Sequence, residues 1–224
     1  MLEVCSTKVE YGKPNQENMS DDPEAMGAEA CIIATSFLGR DALEKIRPAK
    51  SYRIPELDAH IRSMRTRSEA RIMHESREAG VRTPCIYDID LARCAITMER
   101  VGGCTVKSYL DAHPEDAEEV CREIGRTVAR LHSARICHGD LTTSNMIRED
   151  DGRICLIDMS MGRTLAELED IGVDLRLLER GFASAHVDLA DAFDALMEEY
   201  YAHVSDPKAV AKKLEDIRNR GRYT

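Results

Sequence analysis

The stretch ICHGDLTTSNMI, residues 136–147, carries the strongest chemical signal in the chain. Phosphoryl transfer needs a carboxylate that accepts or orients the proton of the nucleophile, and oxygen ligands that hold Mg²⁺ against the phosphates. Asp140 and, after four intervening residues, Asn145 can supply such groups. Read alone, the stretch is also typical of an exposed loop, so the surrounding sequence has to decide between the two interpretations.

Asp158 favours the catalytic interpretation. It stands 13 residues after Asn145, at the end of the apolar run ICLID, and a hairpin signal around Asp151 and Gly152 lies between them. A hairpin returns the chain to the place that it left, where a metal-binding carboxylate is needed. We therefore predict a phosphoryl-transfer site in which Asp140 is the catalytic base and Asn145 and Asp158 bind Mg²⁺.

Such a site also needs a lysine for the α- and β-phosphates and a carboxylate that orients the lysine. Lys45 lies in a short predicted strand and Glu69 in a long predicted helix, both upstream of Asp140. Taken singly, Lys45 is a lysine at a strand edge and Glu69 is one of many charges on a helix surface. Their order along the chain predicts that both are catalytic and that Lys45 also binds the nucleotide.

Two further stretches are candidates for nucleotide contacts. MGAEACII, residues 26–33, offers one glycine where a complete phosphate loop would have G-x-G-x-x-G. MERVGG, residues 98–103, ends a strand and begins a linker whose backbone groups can bind adenine, although a methionine at a strand end is more often core. We predict ATP as cofactor, with these contacts in addition to Lys45: Gly27, Ala28, Met98, Glu99 and Val101.

Hydrophobic periodicity predicts an α+β fold with two lobes. Strands prevail before residue 101 but are interrupted by one long helix, from Leu57 to Ala79, and helices prevail after the glycines at 102–103. The predicted organisation is an acidic, flexible segment (1–25), a strand-rich N-lobe (26–101), a helical C-lobe (102–206) and a basic helix or tail (207–224).

The amino-acid composition indicates in which cellular compartment the protein is expected. Hydrophobic residues make up 43% of the 224 residues, enough for a core, but no stretch approaches ~18 consecutive apolar residues, so no membrane span is expected. The N-terminus lacks the features of a secretory signal. The eight cysteines are scattered without a C-x-x-C pair, which indicates reduced thiols. We expect a cytoplasmic or nuclear protein.

Charge is distributed unevenly. A net charge of −10 argues against nucleic-acid binding over the whole surface. Residues 208–224, however, carry six cations against Glu215 and Asp216, a net of +4. A solvated tail and a partner-binding tail fit this pattern equally well.

Taken together, these motifs resemble the eukaryotic-like protein kinases, and more narrowly the small atypical kinase subunits of the KEOPS (EKC) complex, the PRPK-type family. The resemblance covers about residues 26–222. It rests on GAEA at the nucleotide loop, EKIRPAKSYRIPELD after the lysine strand, RTRSEARIMHESREAGV in the long helix, and the catalytic loop HGDLTTSNMI. EDIGVDLRLLERGF and the basic KLEDIRNRGR add to it.

The resemblance implies a protein-kinase-like fold with a reduced helical C-lobe, and an ion pair between Lys45 and Glu69. It also implies a protein that acts mainly as an ATPase or switch and can phosphorylate serine. Its partners would be the other KEOPS subunits, including the catalytic subunit that makes threonylcarbamoyladenosine on tRNA. The basic tail would reach that subunit and tRNA, through salt-sensitive phosphate contacts.

Two departures from the kinase pattern change the expectations. The metal motif reads Asp158-Met159-Ser160 rather than Asp-Phe-Gly, and serine adopts a positive φ less easily than glycine, so we expect restricted switching at Ser160. Gly139 takes the place of the arginine that usually precedes the base, and no Ala-Pro-Glu run follows Asp158. An activation loop ordered by pairing of a phosphorylated residue with arginine is therefore not expected.

Two alternatives to an atypical kinase or ATPase are open. A small-molecule phosphotransferase is suggested by His138-Gly139-Asp140, which antibiotic and choline kinases share, although 224 residues hardly accommodate their larger helical lobe. A catalytically weak scaffold subunit, in which the tail is the working part, is suggested by Ser160.

Overall fold

A computed structural model describes residues 25–26 and 29–220 of the chain. Residues 1–24 of the predicted acidic segment, the predicted nucleotide contacts Gly27 and Ala28, and residues 221–224 of the basic tail lie outside the described residues. Of the residues that are described, those up to Arg71 and Pro84–Val101 form one compact unit. Ile72–Thr83 and the residues from Gly102 onward form a second.

The first unit is built on a five-stranded antiparallel sheet. Its strands are β1 (Ala25–Met26), β2 (Cys31–Phe37), β3 (Arg40–Ile46), β4 (Ile86–Asp90) and β5 (Ala95–Glu99), in the order β1-β2-β3-β5-β4. Leu38 and Gly39 form a two-residue turn between β2 and β3, and both have positive φ, as the twist of a tight hairpin favours. β3 is the middle strand, so Lys45 lies inside the sheet rather than at an edge.

The long predicted helix is present as α1 (Pro55–Glu78), and Gly80, with φ of 77°, follows its end. Of the apolar residues at helical spacing, Leu57 and Met64 lie off the buried face, being 52% and 53% exposed, whereas Ile72 is 1% exposed. The buried positions of its middle and C-terminal turns include Thr66, Glu69, Ala70, Ile72, Met73 and Ser76. A polar group such as Glu69 on the buried side of a helix needs buried partners.

The second unit is mainly helical. Its helices are α2 (Val106–Ala112), α3 (Ala117–Ser133), α4 (Leu168–Ala185), α5 (Ala190–His203) and α6 (Pro207–Arg220). Its short strands are β6 (Cys104–Thr105), β7 (Ile136–Cys137), β8 (Met146–Arg148), β9 (Ile154–Leu156) and β10 (Arg163–Thr164). They form one sheet in the order β6-β8-β9 and a pair of β7 with β10. The predicted α+β class is confirmed.

The core of the second unit lies between α3 and α5. The apolar stripe of α3, spaced at a helical period in the sequence, is fully buried: Val120, Ile124, Val128 and Leu131 are at most 3% exposed. Gly125, also on α3, allows the close approach, because a Cβ there would lie 2.4 Å from the carbonyl oxygen of Leu196. No helix in the described part of the chain is both long enough and apolar enough to span a membrane.

Candidate phosphoryl-transfer site

The stretch 138–145 places the predicted base and one predicted metal ligand in direct contact. Thr143–Asn145 form a turn of 3₁₀ helix, in which the Asn145 amide N–H donates to the carbonyl oxygen of Thr142 at 3.0 Å. The Nδ2 atom of Asn145 donates to the Oδ2 atom of Asp140 at 2.8 Å and to its carbonyl oxygen at 2.9 Å. Because Nδ2 makes both contacts, the amide oxygen of Asn145 is not used in them, and the Asp140 carboxylate is exposed.

Asp158 is brought to the same end of the β8–β9 hairpin. Met146 pairs with Leu156, and the Ile157 N–H donates to the carbonyl oxygen of Asn145 at 3.0 Å. Asp158 follows directly, is exposed, and has φ of 57°. The left-handed residue of the metal motif is thus the aspartate, and Ser160 is not among the described residues with positive φ. The serine therefore imposes no backbone cost on this conformation.

The structure also accounts for two other departures from the kinase pattern, at Met159 and at Gly139. Met159 is fully buried, and the Ser76 hydroxyl lies 3.6 Å from its sulfur, so an apolar side chain fills this position as Phe would. Gly139 has φ of 82°, and a Cβ there would lie 2.1 Å from the carbonyl oxygen of Met161. No residue with a side chain fits in this arrangement, which accounts for the missing arginine.

Asp174 of α4 holds the backbone of the catalytic loop, and the sequence did not identify it as a site residue. Its carboxylate is 1% exposed and accepts hydrogen bonds from the N–H groups of His138 at 2.7 Å and Gly139 at 2.9 Å. Burial acts to raise the pKa of Asp174, but hydrogen bonding and attraction from His132, with smaller help from His138, hold it below its ordinary value. The loop is therefore anchored by a buried carboxylate ion.

Imidazole rings complete this anchoring. His138 donates from Nε2 to the carbonyl oxygen of Ile157 at 2.9 Å, while its Nδ1 accepts from the Asp140 N–H at 3.3 Å. His132 donates from Nε2 to Asp174 at 3.3 Å, and its Nδ1 lies 2.9 Å from the hydroxyl of Tyr200 on α5. The loop that carries the predicted base is thus tied to Ile157, the residue before the predicted metal ligand, and through Asp174 to α3 and α4.

The group His132, Cys137 and Asp174 also brings three potential metal-ligand atoms within 4.8 Å of one another. Burial, with the nearby Asp174 charge, raises the pKa of the Cys137 thiol well above its ordinary value, and a thiol binds metals as thiolate. Both oxygens of Asp174 already accept hydrogen bonds from the catalytic loop. We interpret the group as structural support for the loop.

In the first unit, Lys45 and Glu69 form a buried ion pair. The Lys45 Nζ atom lies 2.7 Å from Glu69 Oε1, and both side chains are at most 4% exposed. Arg47, which the sequence did not single out, contacts the other oxygen of the same carboxylate. The signal was available, because residues two apart on a strand share a face.

The predicted adenine contacts have structural partners of their own. Met98 on β5 is 9% exposed. The Glu99 side chain accepts from the Cys85 N–H at 2.9 Å, and the Glu99 N–H donates to the Cys85 carbonyl oxygen at 2.8 Å. Glu99 therefore closes the end of the β4–β5 pair. The roles of Met98, Glu99 and Val101 stay predictions.

The donor chemistry of the second unit fits Mg²⁺. Asp158 and Asn145 offer carboxylate and amide oxygens, the hard ligands that this ion takes, and an ion held by few protein ligands keeps water and phosphate oxygens as the rest. An antiparallel sheet with a buried Lys–Glu pair, and a helical unit with an Asp–Asn loop followed by a metal-type aspartate, define a protein-kinase-like fold. The Rio2 kinase of Chaetomium thermophilum, solved as an ADP/Mg²⁺-phosphoaspartate complex, shares this fold: the TM-score is 0.62 at 16% identity, over 89% of this chain and 70% of that one.

A family model described as RIO domain matches residues 23–167. The chain belongs to the RIO-domain family within the protein-kinase-like superfamily and is homologous to the Bud32/Tp53rk proteins. It is 39% identical to the KEOPS complex subunit Bud32 of Pyrococcus abyssi, over 88% of this chain and 94% of that protein. It is 37% identical to the EKC/KEOPS complex subunit Tp53rkb of Mus musculus, over 88% of this chain and 84% of that protein.

Longer relatives contain a similar region as one part. The chain is 41% identical, over 89% of its length, to a probable bifunctional tRNA threonylcarbamoyladenosine biosynthesis protein of Methanothermobacter thermautotrophicus. It spans only 36% of that protein's length. The similarity confirms the predicted family.

Proposed function

We propose that this protein is a Mg²⁺- and ATP-dependent atypical serine/threonine kinase that acts mainly as an ATPase within a KEOPS/EKC-type complex. In that complex it supports threonylcarbamoyladenosine modification of tRNA. Similarity over most of the length of proteins named as KEOPS subunits supports the assembly. The carboxylates, amide and lysine described above support the chemistry.

Each residue has a defined part in this proposal. Asp140 accepts or orients the proton of the attacking hydroxyl or water, and Asn145 and Asp158 hold Mg²⁺. Lys45 neutralises the α- and β-phosphates, and Glu69 orients Lys45. Bound Mg²⁺-ATP supplies the transferable phosphoryl group and the charge that screens its oxygens. The further nucleotide contacts are Gly27, Ala28, Met98, Glu99 and Val101.

The contact between Asp140 and Asn145 carries the proposal. A loop that merely covers the surface would not need its backbone anchored by a buried carboxylate, and Asp174 provides such an anchor while Asp140 itself stays exposed. The arrangement holds a proton acceptor and an oxygen ligand for Mg²⁺ in a fixed relation. Such positioning is the main contribution of a protein to phosphoryl transfer.

The segment after Asp158 favours ATP hydrolysis over phosphorylation of peptides. α4 begins at Leu168, ten residues after Asp158, and β10 (Arg163–Thr164) occupies part of that interval. The interval leaves little chain for a platform that would bind an extended peptide. Water or a short acceptor segment is therefore the better-fitting nucleophile.

The decisive experiment compares γ-phosphate release from Mg²⁺-ATP by wild-type protein, Asp140→Ala and Asp151→Ala. Asp151 is a matched control, because it is also an exposed aspartate of the second unit but pairs with Arg153 in the hairpin turn. Each protein is assayed alone and with the tRNA-modifying partner subunit and tRNA. We expect Asp140→Ala to lower turnover at least 100-fold, the usual weight of a general base, and Asp151→Ala to keep it.

Equal turnover by all three proteins would mean that Asp140 is not the base. A protein that binds the partner but shows no Asp140-dependent turnover under any condition would instead be a scaffold. Rescue of tRNA modification by Asp140→Ala, but not by a chain truncated before Lys208, would point the same way.

A further inference from the structure

Arg47 is a third buried charge beside the Lys45–Glu69 pair. Lys45 lies near the end of β3 and Arg47 directly follows that strand, so that the two side chains leave the same face of the sheet. Arg47 is only 2% exposed, as is Glu69. A guanidinium is rarely buried to this extent without a specific task, because removing it from water is costly.

The two cations divide the carboxylate of Glu69 between them. Lys45 Nζ donates to Oε1 at 2.7 Å, and an Nη2 hydrogen of Arg47 is donated to Oε2. With one cation on each oxygen, the plane of the carboxylate cannot rotate without breaking a buried, charge-assisted hydrogen bond. The orientation that Glu69 presents to Lys45 is therefore defined by Arg47.

Arg47 makes this contact at the expense of its own hydrogen bonds. A guanidinium usually meets a carboxylate with two parallel N–H groups, but here Nη2 alone does so. Nη1 lies 3.5 Å from the Thr66 hydroxyl, the limit for a hydrogen bond. Nε is buried and has no hydrogen-bond partner among residues 25–26 and 29–220. A structural arginine would gain by turning both N–H groups onto Glu69, which would draw the carboxylate away from Lys45.

The backbone on both sides keeps Arg47 in place. Its N–H donates to the carbonyl oxygen of Cys94 at 3.1 Å, which extends the ladder between β3 and β5. Its carbonyl oxygen accepts from Arg62 on α1 at 3.2 Å, and Arg62 is itself held by Asp58. The guanidinium thus starts from a fixed point and contacts the Glu69 oxygen that Lys45 does not contact.

We propose that Arg47 is a positioning residue: it holds one oxygen of the Glu69 carboxylate so that the other oxygen is presented to Lys45. The functional part of this inference rests on the proposed nucleotide site, because Lys45 is the group that would meet the phosphates. The geometric part concerns the Lys45–Glu69 pair alone and can be tested without any turnover.

The first test measures the reactivity of the Lys45 amine. Wild-type protein, Arg47→Met and Arg47→Lys are treated with an acetylating ester in the folded state, and acetylation of Lys45 is quantified by mass spectrometry relative to the exposed Lys212. Without Arg47, Glu69 holds Lys45 less firmly. We expect Lys45 to react on the order of tenfold faster in Arg47→Met, the weight of one charge-assisted hydrogen bond. Arg47→Lys should restore part of the protection.

Two controls separate positioning from a general loss of stability. Arg93→Met removes an arginine of the turn between β4 and β5 that pairs with Glu44 of β3, and it should leave the reactivity of Lys45 unchanged. Glu69→Gln removes the charge that pairs with Lys45 in the first unit, and adding Arg47→Met to it should have no further effect, since Arg47 acts only through Glu69. Acetylation rates are compared after a stabilising osmolyte has been added to the less stable variants until all have the same urea-unfolding midpoint. This corrects for differences in stability.

The second test measures steady-state ATP turnover. If Lys45 is no longer held in place, the ground state and the transition state of ATP are bound equally less tightly. Arg47→Met should therefore raise KM for Mg²⁺-ATP about tenfold and leave kcat nearly unchanged. Slower acetylation of Lys45, or a lower KM, would show that Arg47 competes for Glu69 and would overturn the proposal. Additive effects of Arg47→Met and Glu69→Gln on acetylation would also overturn it. If wild-type protein shows no turnover, the nucleotide proposal fails while the acetylation data still decide the role of Arg47.

Discussion

Buried polar side chains hold the loop that bears the proposed catalytic residues. Asp174 anchors the backbone at His138 and Gly139. His186, at the end of α4, does the same for the 3₁₀ turn that ends in the predicted metal ligand Asn145, because its Nε2 lies 2.9 Å from the hydroxyl of Thr143. These residues come from one helix, yet they meet different parts of a loop more than 30 residues earlier in the chain.

His186 makes stability depend on pH. Burial lowers its pKa below the ordinary value of 6.5, with Asp111 acting to raise it and Lys107 to lower it. Between that depressed pKa and 6.5, the unfolded chain binds more protons than the folded one, so the free energy of unfolding falls as the pH falls. We expect urea unfolding at pH 7, 6 and 5 to show this loss, and His186→Gln to flatten it.

Asp111→Asn should have the opposite effect. Removing the carboxylate lowers the pKa of His186 further, so the loss of stability between pH 7 and pH 5 should become larger. A slope in His186→Gln that equals the wild-type slope would assign the pH dependence to another group.

Two glycines inside helices of the second unit differ in how closely other parts of the chain pack against them. Gly125 lies inside α3 against the backbone of α5, and a Cβ there would lie 2.4 Å from the Leu196 carbonyl oxygen and 3.0 Å from the Tyr200 nitrogen. Gly181 on α4 has room, since a Cβ there would lie 3.4 Å from the Thr142 Cγ2 atom. Both glycines stand inside helices, where alanine would otherwise be preferred.

Gly125→Ala and Gly181→Ala should therefore change stability in opposite directions. Alanine favours each helix by up to about 1 kcal/mol. At Gly125, the backbone of α5 must move, and overpacking of this kind costs about 1–3 kcal/mol, so we expect a net loss. At Gly181, we expect a gain of about 0.5–1 kcal/mol. Urea-unfolding midpoints of the two variants measure both values.

A gain in Gly125→Ala would mean that α3 and α5 are separated more widely than described. A loss in Gly181→Ala would mean that Thr142 lacks the room to accommodate a methyl group.

Over the whole molecule, charge pairing limits what the basic C-terminal segment can bind. Two cations of α6 pair with carboxylates of α4. Lys213 lies 3.0 Å from Glu169. Arg218 lies 2.8 Å from Glu179. Arg220 also pairs with Glu169, and together these contacts hold the pKa of that carboxyl below its ordinary value. Lys208 and Lys212 are exposed and have no carboxylate within 4 Å in the part of the chain that the structure describes. Counting all the basic residues of this segment therefore overstates the positive charge that is available to bind a polyanion such as tRNA.

This difference predicts the salt dependence of tRNA binding, if the segment contacts tRNA as the family resemblance implies. Lys208→Ala and Lys212→Ala should each reduce the slope of log K against log salt concentration by about 1, because each removes a free cation that displaces counterions. Lys213→Ala is the matched control and should change the slope much less. Equal changes in all three variants, or none in any, would count against tRNA contact through this face of α6.

Much of the fold and the site could be predicted because the signals are local. The helix from residue 57, the apolar stripe of α3 and the hairpin before Asp158 each depend on periodicity or turn chemistry within about 20 residues. The spacing of Asp140 and Asn145 likewise specifies a contact within a single loop. The periodicity of α1 was less informative about burial, because its exposed apolar residues mimic a core-facing stripe.

The sequence by itself determined which chemistry is proposed for the chain, since the identities and order of Lys45, Glu69, Asp140, Asn145 and Asp158 indicate phosphoryl transfer. Only the tertiary structure decided how these groups are held. Asp174 is separated by 36 residues from His138, whose N–H it accepts, and Arg47 reaches Glu69 across 22. Charged residues at such separations look like ordinary surface charges until folding removes them from water, where each needs a specific partner.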